Sequence, residues 1–290
     1  MARLKGVAVN PGRFERTQVK FYIVLLPFLI VSVLPLVYIV STAFKPIEEL
    51  FAYPPTFLVQ RPTLVNFRKL FATAENMAFP MSMYLFNSIV STGLVMVLGT
   101  LISVAAAYVL SKKKFKGKGL IFKANNLSLM FVGSMLQIPR YLIIQRLGLL
   151  DSFWANVVPA LIMPEGVFLL KQFIDQVPDA LIEAARIDGA GDYRVLYSIV
   201  IPTVKPAIAT VAILFFQNSW NSVEASNLFL NTEGLKTFAY YMNVLTASGN
   251  GVAGRGIAAV ASLIIILPNI ILFVVMQSRV MDTMAHSGLK

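Results

Sequence analysis

One segment of this chain does not match its surroundings. Val177-Pro178-Asp179-Ala180-Leu181-Ile182-Glu183-Ala184-Ala185-Arg186-Ile187-Asp188-Gly189-Ala190-Gly191 is charged and alanine-rich, yet it stands between two apolar stretches long enough to cross a bilayer. A helix carrying Asp179, Glu183, Arg186 and Asp188 does not rest in hydrocarbon. Tethered between two spans, it must lie at one membrane face, where small alanine side chains let another protein approach closely. The local chemistry is that of a short helix. Pro178 can open it, because its missing N–H is an orphan there anyway. Asp179 sits at the positive end of the dipole, the Ala and Leu residues favour helix, and Gly189 and Gly191 can take the left-handed conformation that stops it. The expected product is a helix of about three turns over residues 178–190, with Asp192 placed to cap the next one. A connecting helix that merely rests on the membrane or its neighbours is the simpler alternative.

Composition decides the class. Of 290 residues, 57% are hydrophobic and only 13% charged, with a mean hydropathy of +0.72, against about 25% charged in soluble domains. The chain is a polytopic membrane protein. It has no cysteine and a single histidine, His286. Disulfides, thiolate metal sites and a cysteine nucleophile are excluded, and with one histidine, near the C-terminal end, a histidine metal cluster or a buried Ser-His-Asp triad is not expected. The net charge of +11 collects beside apolar spans, which points to membrane lipid and not to nucleic acid.

Six apolar stretches follow one another. The first, Phe21 to Phe44, is uncharged and follows a basic segment with Arg3, Lys5, Arg13, Arg16 and Lys20; it is too long for a cleaved signal and reads as an anchor. Lys45 to Phe79 is a proline-bearing polar connection. The second span, Met81 to Leu110, leads into Ser111-Lys112-Lys113-Lys114-Phe115-Lys116-Gly117-Lys118-Gly119, the densest basic cluster, which marks the cytoplasmic side and suits contact with anionic headgroups. The third, Leu120 to Ile144, is interrupted by Asn125, Asn126, Gln137, Pro139 and Arg140; the fourth runs from Ser152 to Leu170; the fifth from Val195 to Phe216; the sixth from Gly256 to Ser278. A polar external loop, Asn218 to Arg255, with Gly249, Gly251, Gly254 and Gly256, joins the last two. The count gives an all-α protein with a cytoplasmic segment 1–20, a six-helix domain 21–281 and a cytoplasmic tail 282–290. Both termini then lie in the cytoplasm, as does the charged island.

Glu183-Ala184-Ala185, then Gly189, then Ile199, Ile201 and Pro202 resemble the EAA motif of ABC-importer permeases, with isoleucine at 201 where leucine is usual. Phe86-Asn87-Ser88, Ala105-Ala106-Ala107-Tyr108, Ile187-Asp188-Gly189-Ala190, Pro202 with Pro206, and Trp220-Asn221 are similar to the carbohydrate, maltose-type class, and the tail His286 to Lys290 to an oligosaccharide subgroup. The resemblance implies the type I permease fold in a bacterial cytoplasmic membrane, a homologous second permease, an ATP-binding cassette ATPase dimer that binds the ATP and Mg, and an extracytoplasmic solute-binding protein. It implies that Glu183, Ala184, Ala185, Asp188 and Gly189 form a coupling helix seated on the ATPase. No cofactor is expected on this chain, which has no Gly-x-x-x-x-Gly-Lys-Ser/Thr loop and is not expected to be an enzyme.

Polar groups inside spans usually face the bundle interior or a water-filled cavity. Glu165, between Pro164 and Gly166, is a candidate for the solute pathway; pairing with Arg140 is its structural alternative. Trp220 and Asn221 could stack on and bond to a sugar, or anchor the helix end at the interface. Asn87, Asn125, Asn126 and Asn218 could touch solute or join helices. Pro139, Pro164 and Pro268 are expected to bend their helices. A permease for amino acids or polyamines, an ion-coupled carrier, and a scaffold without transport remain the alternatives.

Overall fold

The computed structural model describes residues 18–75, 79–248 and 252–287. Arg3, Lys5, Arg13, Arg16, Gly249, Gly251 and residues 288–290 lie outside the described residues. The chain forms α1 (Gln18–Phe44), α2 (Ile47–Phe51), α3 (Val65–Glu75), α4 (Met81–Lys112), α5 (Lys118–Ser128), α6 (Gln137–Arg146), α7 (Pro164–Asp175), α8 (Asp179–Ile187), α9 (Asp192–Val195), α10 (Ile201–Thr203), α11 (Lys205–Trp220), α12 (Glu224–Leu228), α13 (Phe238–Ser248) and α14 (Val252–Ser287), with short 3-10 turns between α6 and α7 and a π-turn at Leu196–Val200. Among the described residues there is no strand.

Among the described residues, three helices are long and apolar enough to cross a membrane unbroken: Phe21–Phe44, Met81–Lys112 and Gly254–Gln277. The other three expected spans are bent pairs, giving six crossings if each pair is one span. The third span is therefore not the continuous Leu120–Ile144 helix that hydropathy suggested: α5 and the segment Gly133–Arg146 meet at 110°. Pro139 does not cause that bend. It sits in the first turn of α6, where a missing N–H costs nothing. In the fourth span Pro164 opens α7 after a 40° break. The fifth span bends by 86° between Thr203 and Lys205. Here the cause is a proline pair four residues apart: Pro206 has no N–H for the carbonyl of Pro202, so the ladder stops and a new helix starts with Pro206 in its first turn. Pro268 lies inside an unbroken α14.

Two cores stack along α4, whose 32 residues reach roughly 48 Å. One core lies toward the charged island and joins Val104, Ala107 and Tyr108 of α4 to Leu170, Ile174, Ile182, Val195, Val211 and Phe215. The other lies at the far end and joins Tyr84 to Leu70, Trp220, Tyr241, Met242 and Val260. Small buried residues on α4 let its neighbours come close, as expected where helices pack without a hydrophobic drive between them. At Gly99 a Cβ atom would stand 2.5 Å from the Phe215 ring, and Gly166 of α7 lies 3.4 Å from Ser103 by the same measure.

The far-end connections are ordered by their own hydrogen bonds. Buried Asn66 donates to the carbonyls of Ala43 (3.0 Å) and Lys45 (2.8 Å), serving the orphan carbonyl end of α1. Ser88 Oγ of α4 accepts from the Phe238 N–H at 2.8 Å and so caps α13 from another helix. The stretch Asn218 to Arg255 is consequently no simple polar loop: α13 lies within it, with Phe238, Tyr241, Met242 and Leu245 buried.

Candidate functional site

The island folds as its residues dictate. α8 ends in a Schellman motif: Gly189 takes φ +80, its N–H donates to Arg186 O at 3.0 Å, and the Ala190 N–H donates to Ala185 O at 2.9 Å. Pro178 stands just before the helix, with Asp179 in its first turn. Ile182 is buried and pins α8 to the core, with Ala185 partly buried beside it. The other side is open. Glu183, Ala184, Asp188 and Gly189 are exposed. The Glu183 carboxylate has no partner among the described residues. Leu181 is 50% exposed and Ile187 is 87% exposed, followed by Tyr193 and Tyr197 on the next turns, both largely exposed. A free anion on a helix that also bears uncovered apolar side chains, in a segment too charged for lipid, has the character of a protein contact.

The basic run that precedes α5 does not simply face headgroups. Lys112 Nζ donates to Val177 O at 2.6 Å and pairs with Asp179 at 2.8 Å. Lys113 pairs with Asp192. Lys118 Nζ donates to Ser111 O at 2.8 Å and Lys113 O at 3.1 Å, closing the carbonyl end of α4. Only Lys114 and Lys116 of this group stay exposed. Asp192 makes no capping bond; its carboxylate serves Lys113 and Arg186 instead. The Lys112 hydrogen bond and charge hold the Asp179 carboxyl below its usual 3.8, and Lys113, chiefly by its hydrogen bond, does the same for Asp192. Both folded values are thus depressed. The contribution of these pairs is complete above pH 3.8 and is lost as pH falls through the lowered values, so neutral conditions leave them intact.

A second feature lies at the end of α11. A cleft of about 450 Å³ is lined by Leu214, Gln217, Asn218, Asn221 and Ser222. Beside it, sharing Asn221, is a smaller one of about 240 Å³ with Asn243, Thr246 and Ser262 among its walls. Neither lining contains a charged side chain. Asn221 is oriented by its own bonds: Nδ2 donates to Gln217 O at 2.8 Å, and Oδ1 accepts from Asn269 at 3.1 Å. Amides and hydroxyls around an open cleft can exchange hydrogen bonds with a polar, uncharged ligand.

The pathway candidates separate accordingly. Asn218 and Asn221 line the cleft. Glu165 is exposed in the first turn of α7. Its expected alternative, pairing with Arg140, is overturned, because Arg140 pairs with Glu224 at 2.7 Å. Asn125 donates to Pro164 O at 3.2 Å and joins α5 to α7. Asn87 is buried and donates to Gly234 O at 2.8 Å and Lys236 O at 3.0 Å. Trp220 is only 5% exposed. Its indole N–H donates to Ile265 O at 3.1 Å and its ring stacks on Phe216 at 5.7 Å. Its faces are occupied by this chain, so neither stacking on a sugar nor interfacial anchoring describes it. Trp220→Phe should lower thermal stability by about 1 kcal/mol through loss of that hydrogen bond and leave solute affinity unchanged; a selective loss of affinity would contradict the buried role. Gln217, Ser222, Asn243, Thr246 and Ser262 were not singled out from the sequence, although Gln217 and Asn221, four apart at the end of an apolar helix, share a face.

The family described as "Binding-protein-dependent transport system inner membrane component" matches residues 21–278. Inner membrane ABC transporter permease protein YcjP of Escherichia coli K12 is 29% identical over 98% of this chain and 100% of its own length. The arabinooligosaccharides transport system permease protein AraQ of Halalkalibacterium halodurans is 29% identical, covering 90% of this chain and 92% of its own. In overall fold the chain resembles one from the crystal structure of a bacterial ABC transporter involved in import of the acidic polysaccharide alginate, with a TM-score of 0.76 at 22% identity, covering 92% of this chain and 98% of the other. With the match extending from the first apolar helix to the last, the chain belongs to the inner membrane components of binding-protein-dependent transport systems.

Proposed function

We propose that this chain is one of two permease subunits in an ATP-driven importer of a sugar or oligosaccharide. In this reading residues 21–281 form half of the pathway. The N-terminal segment 1–20, the tail 282–290 and the island lie in the cytoplasm. α8 seats in a groove of an ATPase dimer that binds ATP and Mg, while the α12–α13 end receives solute from an extracytoplasmic binding protein. The alternation of inward- and outward-facing states is then a rigid-body switch biased by nucleotide below and loaded binding protein above.

The observation that carries the reading is the open exterior of α8: Glu183 without a partner among the described residues, with Leu181 and Ile187 exposed on the same helix. The uncharged cleft around Asn218 and Asn221 supports a hydroxyl-rich solute. Affinity purification of the tagged chain from its native membrane should bring down an ATPase and a second permease, and the assembly should import sugar only with ATP. Purification of this chain alone, or uptake that is indifferent to ATP, would overturn the proposal.

A further inference from the structure

The island is not a free-standing knob: it is strapped to the end of one long helix. Three of the straps begin in the last turn of α4 or just after it, and two more lie within the island and its approach. Ser111 Oγ donates to Asp175 Oδ1 at 2.6 Å, at the close of α7. Lys112 reaches Val177 O and Asp179, at the entrance to α8. Lys113 reaches Asp192, at the start of α9, the far side of the island. Lys171 holds the second oxygen of Asp175 at 2.6 Å, and Arg186 reaches Asp192 from α8 itself at 3.4 Å.

The two ends of this arrangement differ in burial. The Lys112 side chain is 7% exposed and its Asp179 partner 76% exposed. An ammonium group buried to that degree needs hydrogen-bond partners, and Lys112 has both a carbonyl and a carboxylate. Asp179, by contrast, stands in water. Exposed ion pairs contribute little to stability, so these contacts are poorly explained as a folding device. They are well placed to fix position: three consecutive residues, the last two of α4 and the one that follows it, touch the segment before α8, the first residue of α8 and the first residue of α9. α4 has no proline and packs along α7 and α11, including the Gly99–Phe215 contact.

The geometry points to Lys112 and Lys113 as positioning residues of the transport cycle: they make the island and α4 one mechanical body, so that displacement of α8 by the ATPase is delivered to α4 and through it to the pathway. This rests on the proposed docking of α8 on an ATPase. In this role Lys112 and Lys113 act through their partners in the island, Val177, Asp179 and Asp192. Their contribution is to the transfer of motion, and losing it should separate hydrolysis from transport while leaving assembly intact.

The test uses the whole transporter reconstituted in liposomes with its binding protein. Asp179→Asn and Asp192→Asn remove the exposed carboxylates and keep both helix starts polar. The double variant should assemble with the ATPase in normal amount and hydrolyse ATP. Solute imported per ATP hydrolysed, and stimulation of hydrolysis by loaded binding protein, should each fall by between about 2- and 30-fold. Lys112→Arg should retain most of both, and Lys112→Met should lose them. The exchanged pair Lys112→Asp with Asp179→Lys should recover more than Lys112→Asp alone. Unchanged transport per ATP in the assembled double variant would overturn the inference. So would failure of the double variant to assemble, because the carboxylates would then build the docking site instead of transmitting from it. A wild-type chain that recovers no ATPase would instead remove the docking proposal itself.

Discussion

Glu183→Lys should abolish ATP-driven uptake while the protein still accumulates in the membrane. The expectation follows from what Glu183 does not touch. Its carboxylate makes no contact within the described residues, and α8 is pinned from the opposite side by Ile182. Glu and Lys have similar helix propensities, so the island itself should survive the change. What is lost is complementarity to the partner. Breaking a charged contact that becomes buried on association costs about 2–5 kcal/mol, and reversing the charge adds repulsion. Uptake should fall by at least about 100-fold, and the ATPase should no longer co-purify with the variant. If the variant retains the ATPase and transports normally, α8 is not the docking element.

The second large effect concerns two glycines on the same helix. At Gly99 an added Cβ would lie 2.5 Å from a Phe215 ring that is wholly buried, so the ring has no space into which to move. Gly99→Leu should force α4 and α11 apart, cost on the order of 3 kcal/mol or more, and sharply reduce the amount of folded permease. At Gly93 a Cβ meets nothing within 4 Å. Gly93→Ala should therefore be neutral or stabilising by up to about 1 kcal/mol, the propensity difference between the two residues. Thermal unfolding of the detergent-purified variants distinguishes the two sites. Combining Gly99→Ala with Phe215→Leu should be less harmful than the sum of the single changes, because the two side chains compete for one space. Equal behaviour of Gly93 and Gly99 would contradict the tight α4–α11 crossing.

The sequence conveyed some of these features directly. Unbroken spans such as Phe21–Phe44 are legible because hydrocarbon thickness demands a minimum apolar length. The island is legible because Pro178, Asp179 and Gly189 act within one or two turns of themselves. Hydropathy could not separate a continuous span from a broken one of equal polarity, so the bends at Leu129–Val132 and at Val204 were missed; the second followed from the spacing of Pro202 and Pro206, not from their number. Long-range satisfaction was invisible. In the sequence Asn87 suits either the pathway or a helix-to-helix bond, and Trp220 either a sugar or the interface; only the fold shows Asn87 Nδ2 donating to the carbonyls of Gly234 and Lys236 and the Trp220 N–H to that of Ile265. The lysines after α4 and the acids of the island were each conspicuous alone. Nothing in their order along the chain stated that they meet.

α4 also carries a hold at its opposite end, where Asn87 and Ser88 grip the segment Gly234 to Phe238. A single rigid rod thereby has one tip in each compartment. Thermodynamic reciprocity then applies to it: if cargo delivery outside alters the free energy of nucleotide binding inside, nucleotide must alter the grip on the delivery protein by the same factor. With α8 docked on an ATPase as proposed, a futile cycle that burns fuel without cargo would be suppressed to the extent that both tips must move together.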